Sequence, residues 1–147
     1  MPRGGCGRGD RARSAAWRST RSCWSHRRRV SPTAAVYAEA DRLGSPRGDA
    51  ELEAIRRRLR DAVDEGGSPL DYREHLVNDL QAAAISLRPE IEDALRALEQ
   101  AGAAHAMVTG SGPTAFGLYP TADRAAAAAA ELRGRFPDVI ATGPLTT

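Results

Sequence analysis

The sequence predicts an α+β fold in which helices cover a small, mainly antiparallel sheet. Three observations predict it. Stretches between residues 34 and 101 carry apolar side chains at helical spacing, separated by Gly- and Pro-containing breaks. After Gly102 the pattern shortens into strand-like runs around a glycine-rich turn. Six consecutive alanines, residues 125 to 130, then mark a helix small enough in profile to pack close to a sheet. A chain of 147 residues leaves room for one domain, or one with a small appendage.

A first helix is expected from about Ala34 to Leu43, with Val36, Tyr37, Ala40 and Leu43 on one stripe, ended by Gly44, Ser45, Pro46 and Gly48. Asp49 suits the N-cap of a second helix to about Asp64. There Leu52, Ile55, Leu59 and Val63 face inward, and Arg56, Arg57, Arg58 and Arg60 take the wet side. Gly66-Gly67-Ser68-Pro69 breaks it. A third helix from about Leu70 to Leu87 carries Leu76, Leu80, Ala83, Ala84 and Leu87 inward. Pro89 fits the first turn of a fourth, followed by Ile91, Leu95 and Leu98 and stopped by Gly102. Ala104 to Thr109 and Thr114 to Tyr119 read as strands. Thr121 can cap a last helix to about Arg135, and Pro137 precedes a third strand at Val139 to Thr142.

The net charge of +2 conceals two unlike pieces. Residues 1–30 hold nine Arg against Asp10 alone, whereas residues 31–147 hold 12 basic and 18 acidic side chains. All 21 basic residues are arginine, which excludes any mechanism on this chain that needs a lysine ammonium or a Schiff-base lysine. Cys6, Cys23, Trp17 and Trp24 all lie in the first piece, so the body offers neither a disulfide framework nor a Cys-based metal site and reads as a cytoplasmic domain. Residues 1–30 are expected to be a disordered basic head. They show no apolar run of signal-peptide or membrane-spanning length. An arginine-rich arm for nucleic acid or anionic lipid, a transit peptide and a binding tail all fit them, as does an out-of-frame stretch of a GC-rich gene. The mixture of Arg, Gly, Ser, Trp and Cys suits the last, and the absence of Lys argues against nucleic acid.

Gly110-Ser111-Gly112-Pro113-Thr114 is the segment with chemical content. Two glycines in a strand-to-strand turn let backbone N–H groups converge on an anion, or let another loop approach closely; they also suit a plain tight turn at positive φ. The segment lacks the Lys of a Walker A loop, and no helix opens directly after it as a dinucleotide loop requires. His75 and His105 are expected as surface or capping residues, and Glu90, Glu92 and Asp93 as first-turn acids that favour the helix dipole rather than a metal. The run Arg56 to Arg60 reads as a solvated face.

The run Val108-Thr109-Gly110-Ser111-Gly112-Pro113-Thr114-Ala115-Phe116-Gly117-Leu118 resembles the third motif of the GHMP small-molecule kinases. Asn78-Asp79-Leu80-Gln81, Leu87-Arg88-Pro89-Glu90, and Thr33 with Val36-Tyr37 are similar to one branch of that family. The branch phosphorylates cytidine-diphosphate methylerythritol with ATP in non-mevalonate isoprenoid biosynthesis. The order of these segments resembles the family's C-terminal domain over residues 31–147.

The resemblance implies that Gly110, Ser111, Gly112 and Thr114 border the active-site cleft beside the phosphates, and that Tyr37 lies against the cytosine ring. It assigns no catalytic residue to this chain, because the family's ATP loop, catalytic Asp and catalytic Lys are N-terminal and nothing here matches them. ATP and Mg, used by the full-length family, are therefore not expected to bind this chain alone. The chain is expected to be inactive by itself and to lack an N-terminal catalytic half. A self-standing binding domain, a partner of a separately encoded catalytic half, and an arginine-armed nucleic-acid-binding protein are the competing readings. The family also places a strand just before Thr33. Trp17 to Arg29 shows no strand pattern, so that strand is expected to be missing and a sheet edge left unpaired.

Overall fold

The computed structural model of the chain describes residues 32–44, 47–136 and 138–143, together with the backbone of residues 20–24. In chain order the elements are β1 (Thr20–Trp24), α1 (Thr33–Leu43), α2 (Asp49–Asp64), a 3₁₀ turn (Arg73–His75), α3 (Gln81–Leu87), α4 (Glu90–Gln100), β2 (His105–Val108), β3 (Ala115–Tyr119), α5 (Ala122–Leu132) and β4 (Val139–Thr142). The strands form one sheet in the order β2-β3-β1-β4, and every neighbouring pair is antiparallel. Helices α4 and α5 cover the sheet, while α1 packs on α3 and α3 on α4. The α+β architecture expected from the sequence is thus the one observed.

The strand expected to be missing is present. β1 lies inside the arginine-rich segment and pairs on both sides, with Thr20, Ser22 and Trp24 opposite Tyr119, Gly117 and Ala115 of β3, and Ser22 and Trp24 also opposite Ala141 and Val139 of β4. A central strand draws its stability from two backbone ladders, which hydropathy does not report, and Arg21 and Ser22 hide its alternation. The sheet therefore has four strands among the described residues instead of three, and its edges are β2 and β4. The remainder of the segment expected to be disordered lies outside the described residues.

The third helix also differs from expectation. A 3₁₀ turn at Arg73–His75 and the seven residues of α3 replace one long helix, and residues 76–80 between them are not helical. The break falls where the Asn78 carboxamide oxygen accepts the Leu80 N–H at 3.0 Å, a local turn that competes with helix. Asp49 is the first residue of α2 and Gly48 its N-cap, with no side-chain capping bond. Leu43, Val63 and Leu87, expected to face inward, are exposed.

Elsewhere the local signals operate as the sequence suggests. Thr121 caps α5, its Oγ1 accepting the Arg124 N–H at 3.2 Å. Gly102 ends α4 at φ +87°: its N–H donates to the Glu99 carbonyl at 2.9 Å and the Ala103 N–H to the Leu98 carbonyl at 3.0 Å, the double bond of a Schellman turn.

The core joins Val36 of α1, Ala83 and Ala84 of α3, Ile91, Leu95 and Leu98 of α4, Val108, Ala115 and Val139 of the sheet, and Ala129 and Leu132 of α5. Ala125, Ala128 and Ala129 are buried, so the alanine run does hold α5 close to the strands. Fully buried Tyr119 donates its hydroxyl to the Leu98 carbonyl at 3.2 Å, and burial, helped by Glu131, pushes its phenol up to about 12. Among the described residues no helix is long and apolar enough to cross a membrane.

Candidate functional site

The glycine loop is the turn between β2 and β3. Within it the Thr109 N–H donates to the Thr114 carbonyl at 2.9 Å and the Gly112 N–H to the Thr109 carbonyl at 3.1 Å. Gly110 and Gly112 have φ of +56° and +72°, the left-handed region that a side chain disfavours, and the Gly112–Pro113 peptide is cis. A Cβ at Gly112 would stand 3.3 Å from Val108 Cγ1, 3.5 Å from Ile91 Cδ1 and 3.6 Å from the Ala84 Cβ. The loop base is thus pressed onto α3 and α4. Its outer part is open: the N–H groups of Gly110 and Ser111 make no hydrogen bond to other described residues, and Gly110 is exposed. Two successive unpaired N–H donors next to a left-handed residue form the kind of concavity that receives an anion.

Two segments distant in sequence meet this loop. From α1, Thr33 Oγ1 lies 3.2 Å from Ser111 Oγ. Val36, completely buried, fixes that end of the helix in the core. Tyr37, one helical turn beyond Thr33 and therefore on the same side of α1, is 54% exposed. It is not a core aromatic, although its place on the apolar stripe allowed that reading. Thr114 is half-buried at the far end of the turn.

From the segment before α3, Asn78 Nδ2 donates to the Val108 carbonyl at 2.9 Å and the Gly110 carbonyl at 2.8 Å, while Gln81 Oε1 accepts the Val108 N–H at 2.9 Å. Asp79 is paired with Arg47 of the α1–α2 connection. Sequence reasoning used Asn78 and Gln81 only as parts of a resemblance and gave them no role. The available signal was an amide residue inside a stretch read as helix, where its side chain competes with the helical backbone.

Among the described residues, the bonds of the remaining candidates do not reach this site. His105 Nε2 meets the Leu76 carbonyl at 3.1 Å, and His75 lies 3.9 Å from Glu74. Arg88 is buried with 7% of its surface exposed, its Nε and Nη2 donating to Glu90 Oε1 at 3.0 and 2.7 Å, and Arg96 pairs with Glu92 at 2.7 Å. On α2, Arg56 and Arg60 pair with Glu53. Among the described residues no group of three or more His, Cys, Asp and Glu is placed to hold a metal ion.

The fold and this loop define a class. The family model of the GHMP kinase C-terminal domain matches residues 52–138, and the chain belongs to that family. Among curated proteins it is 46% identical, over 105 residues, to the 4-diphosphocytidyl-2-C-methyl-D-erythritol kinase of Nocardia farcinica, covering 69% of this chain and 33% of the relative. It is 43% identical over 116 residues to the enzyme of the same name from Thermobifida fusca, covering 77% of this chain and 36% of the relative. The chain spans about a third of the length of these relatives.

Among solved structures, it superposes on a 4-(cytidine 5'-diphospho)-2C-methyl-D-erythritol kinase with a TM-score of 0.62 at 25% identity, covering 88% of this chain and 45% of that one. L. major mevalonate kinase, at 18% identity and a TM-score of 0.58 over 90% of this chain and 45% of its own, shares the fold.

Proposed function

We propose that the chain is the C-terminal part of a 4-diphosphocytidyl-2-C-methyl-D-erythritol kinase and forms the substrate-side wall of its cleft. The observation that carries this reading is the Thr33–Ser111 hydroxyl contact, which sets the helix bearing exposed Tyr37 alongside the glycine loop. An aromatic face can stack on a cytosine ring. The open N–H groups of Gly110 and Ser111, with the hydroxyls of Ser111, Thr33 and Thr114, suit a diphosphate one residue's reach away. In this reading one cleft wall recognises both halves of a cytidine-diphosphate sugar alcohol.

Phosphoryl transfer needs a base for the acceptor hydroxyl and cations that neutralise the moving phosphoryl group. This chain has no lysine, and the carboxylates of Glu39 and Asp79 are engaged by Arg42 and Arg47. In this reading ATP, its metal and the catalytic Asp and Lys belong to a catalytic half, and the chain alone is inactive. The likeness to metabolic kinases supports a cytoplasmic location. The division into a basic head and a kinase-like body near residue 30 is proposed in the same way, apart from Thr20–Trp24, which belong to the sheet.

The test is calorimetric titration of the chain with cytidine diphosphate. Loss of a stacked aromatic in Tyr37→Ala should weaken binding about tenfold, since one base–aromatic stack is worth roughly 1–3 kcal/mol. Equal affinity of the two proteins would remove Tyr37 from the site.

A further inference from the structure

Of the loop's two open donors, the Ser111 N–H shares its peptide with the Gly110 carbonyl, which is tied down from outside the loop, while the Gly110 N–H shares its peptide with the Thr109 carbonyl, which the Gly112 N–H holds from within. Asn78 Nδ2 donates to both the Val108 and the Gly110 carbonyl, at 2.9 and 2.8 Å. A carboxamide carries two N–H donors on one nitrogen, so a single side chain can hold both oxygens on its own side. Its Oδ1 is occupied by the Leu80 N–H at 3.0 Å, which fixes the amide orientation. Gln81, one turn of chain further on, takes the Val108 N–H at 2.9 Å, and the adjacent Asp79 is anchored to Arg47. The carbonyl of Gly110 and the N–H of Ser111 belong to one planar peptide unit and point in opposite directions. Drawing the Gly110 oxygen toward Asn78 therefore turns the Ser111 N–H away from Asn78.

We infer that Asn78 is a positioning residue of this site: by strapping the Val108 and Gly110 carbonyls it aims the Ser111 N–H at an anionic group of the substrate. The anion is the diphosphate of the reading given above, on which this part of the inference rests. The strap itself rests on the hydrogen bonds of Asn78 and not on that reading.

Asn78→Asp separates the two duties of the side chain, because a carboxylate still accepts the Leu80 N–H but donates nothing to the two carbonyls. Hydrogen exchange of the 147-residue chain, followed by NMR, reads the strap through the loop's internal bonds at Thr109 and Gly112. The variant should exchange these amides about tenfold faster, the loss of roughly one net hydrogen bond, with the amides of α4 unchanged. Binding is read with inorganic pyrophosphate. Wild type should show shifts at the Gly110 and Ser111 amides, and Asn78→Ser, which adds no charge, should need about ten times more pyrophosphate to reach them. Unchanged exchange at Thr109 and Gly112 in Asn78→Asp would overturn the strap, as would failure of both variants to fold, which would make Asn78 a residue of the fold at large. A wild type that ignores pyrophosphate while Asn78→Asp still loosens the loop would support the strap and count against the diphosphate reading.

Discussion

Glu39 shows how a single exposed-helix carboxylate acquires structural weight. Both its oxygens accept from Arg42 at 2.7 Å, and Oε1 also accepts the Ser86 hydroxyl at 2.5 Å, which ties α1 to α3. The Arg42 hydrogen bonds, followed by that from Ser86, hold its carboxyl at about 2, below the ordinary 4.5. A group whose folded pKa is depressed contributes stability above its unfolded pKa and loses it as the pH falls toward the folded one. The α1–α3 contact should therefore weaken on acidification between about pH 4.5 and about pH 2. Urea midpoints measured across that range should fall more steeply for the wild type than for Glu39→Gln, which has no charge to lose. Parallel curves would show that the carboxylate is not linked to folding.

At this scale the sequence singled out Gly110, Ser111, Gly112 and Thr114 through the resemblance of their segment to a known motif, whereas it gave Asn78 no role. Its partners are backbone carbonyls 30 and 32 residues away, and nothing in a local pattern reports them.

Among the elements, α4 and α2 stand at opposite extremes. α4 buries Ile91, Ala94, Leu95, Ala97 and Leu98, whereas α2 has the same kind of apolar stripe yet buries no residue fully among the described residues and rests mainly against the 3₁₀ turn. Local opening should begin where few apolar contacts are lost. Leu98→Ala should cost about 2–5 kcal/mol, a core truncation, and Leu59→Ala only about 1 kcal/mol, half a side chain's burial. Urea unfolding of the two variants measures this, and equal losses would mean that α2 is packed as firmly as α4.

The helical period thus told where α2 forms but not what it packs against, because amphipathicity is a property of one helix and burial a property of two. The end signals at Thr121 and Gly102 were readable since each acts within a few residues. β1 was unreadable for the opposite reason: its two ladders come from strands roughly a hundred residues further along the chain.

For the whole molecule, the sheet order brings the ends of the described chain together, with β1 between β3 and β4, and leaves the β2–β3 turn as the meeting point of α1, the Asn78 segment and the sheet. That convergence brings hydroxyl, amide and aromatic groups together in a chain that has no lysine, with Glu39 and Asp79 paired to Arg42 and Arg47. The function proposed above is binding without transfer. The most direct measurement is ADP release from ATP with cytidine-diphosphate methylerythritol, run with the repurified 147-residue chain alone and then mixed with the separately expressed N-terminal two-thirds of the Nocardia farcinica relative. No turnover above background is expected for the chain alone, and substrate-dependent turnover is expected in the mixture, exceeding that of the N-terminal piece by itself. Sustained substrate-dependent turnover by the repurified chain alone would contradict the proposed function.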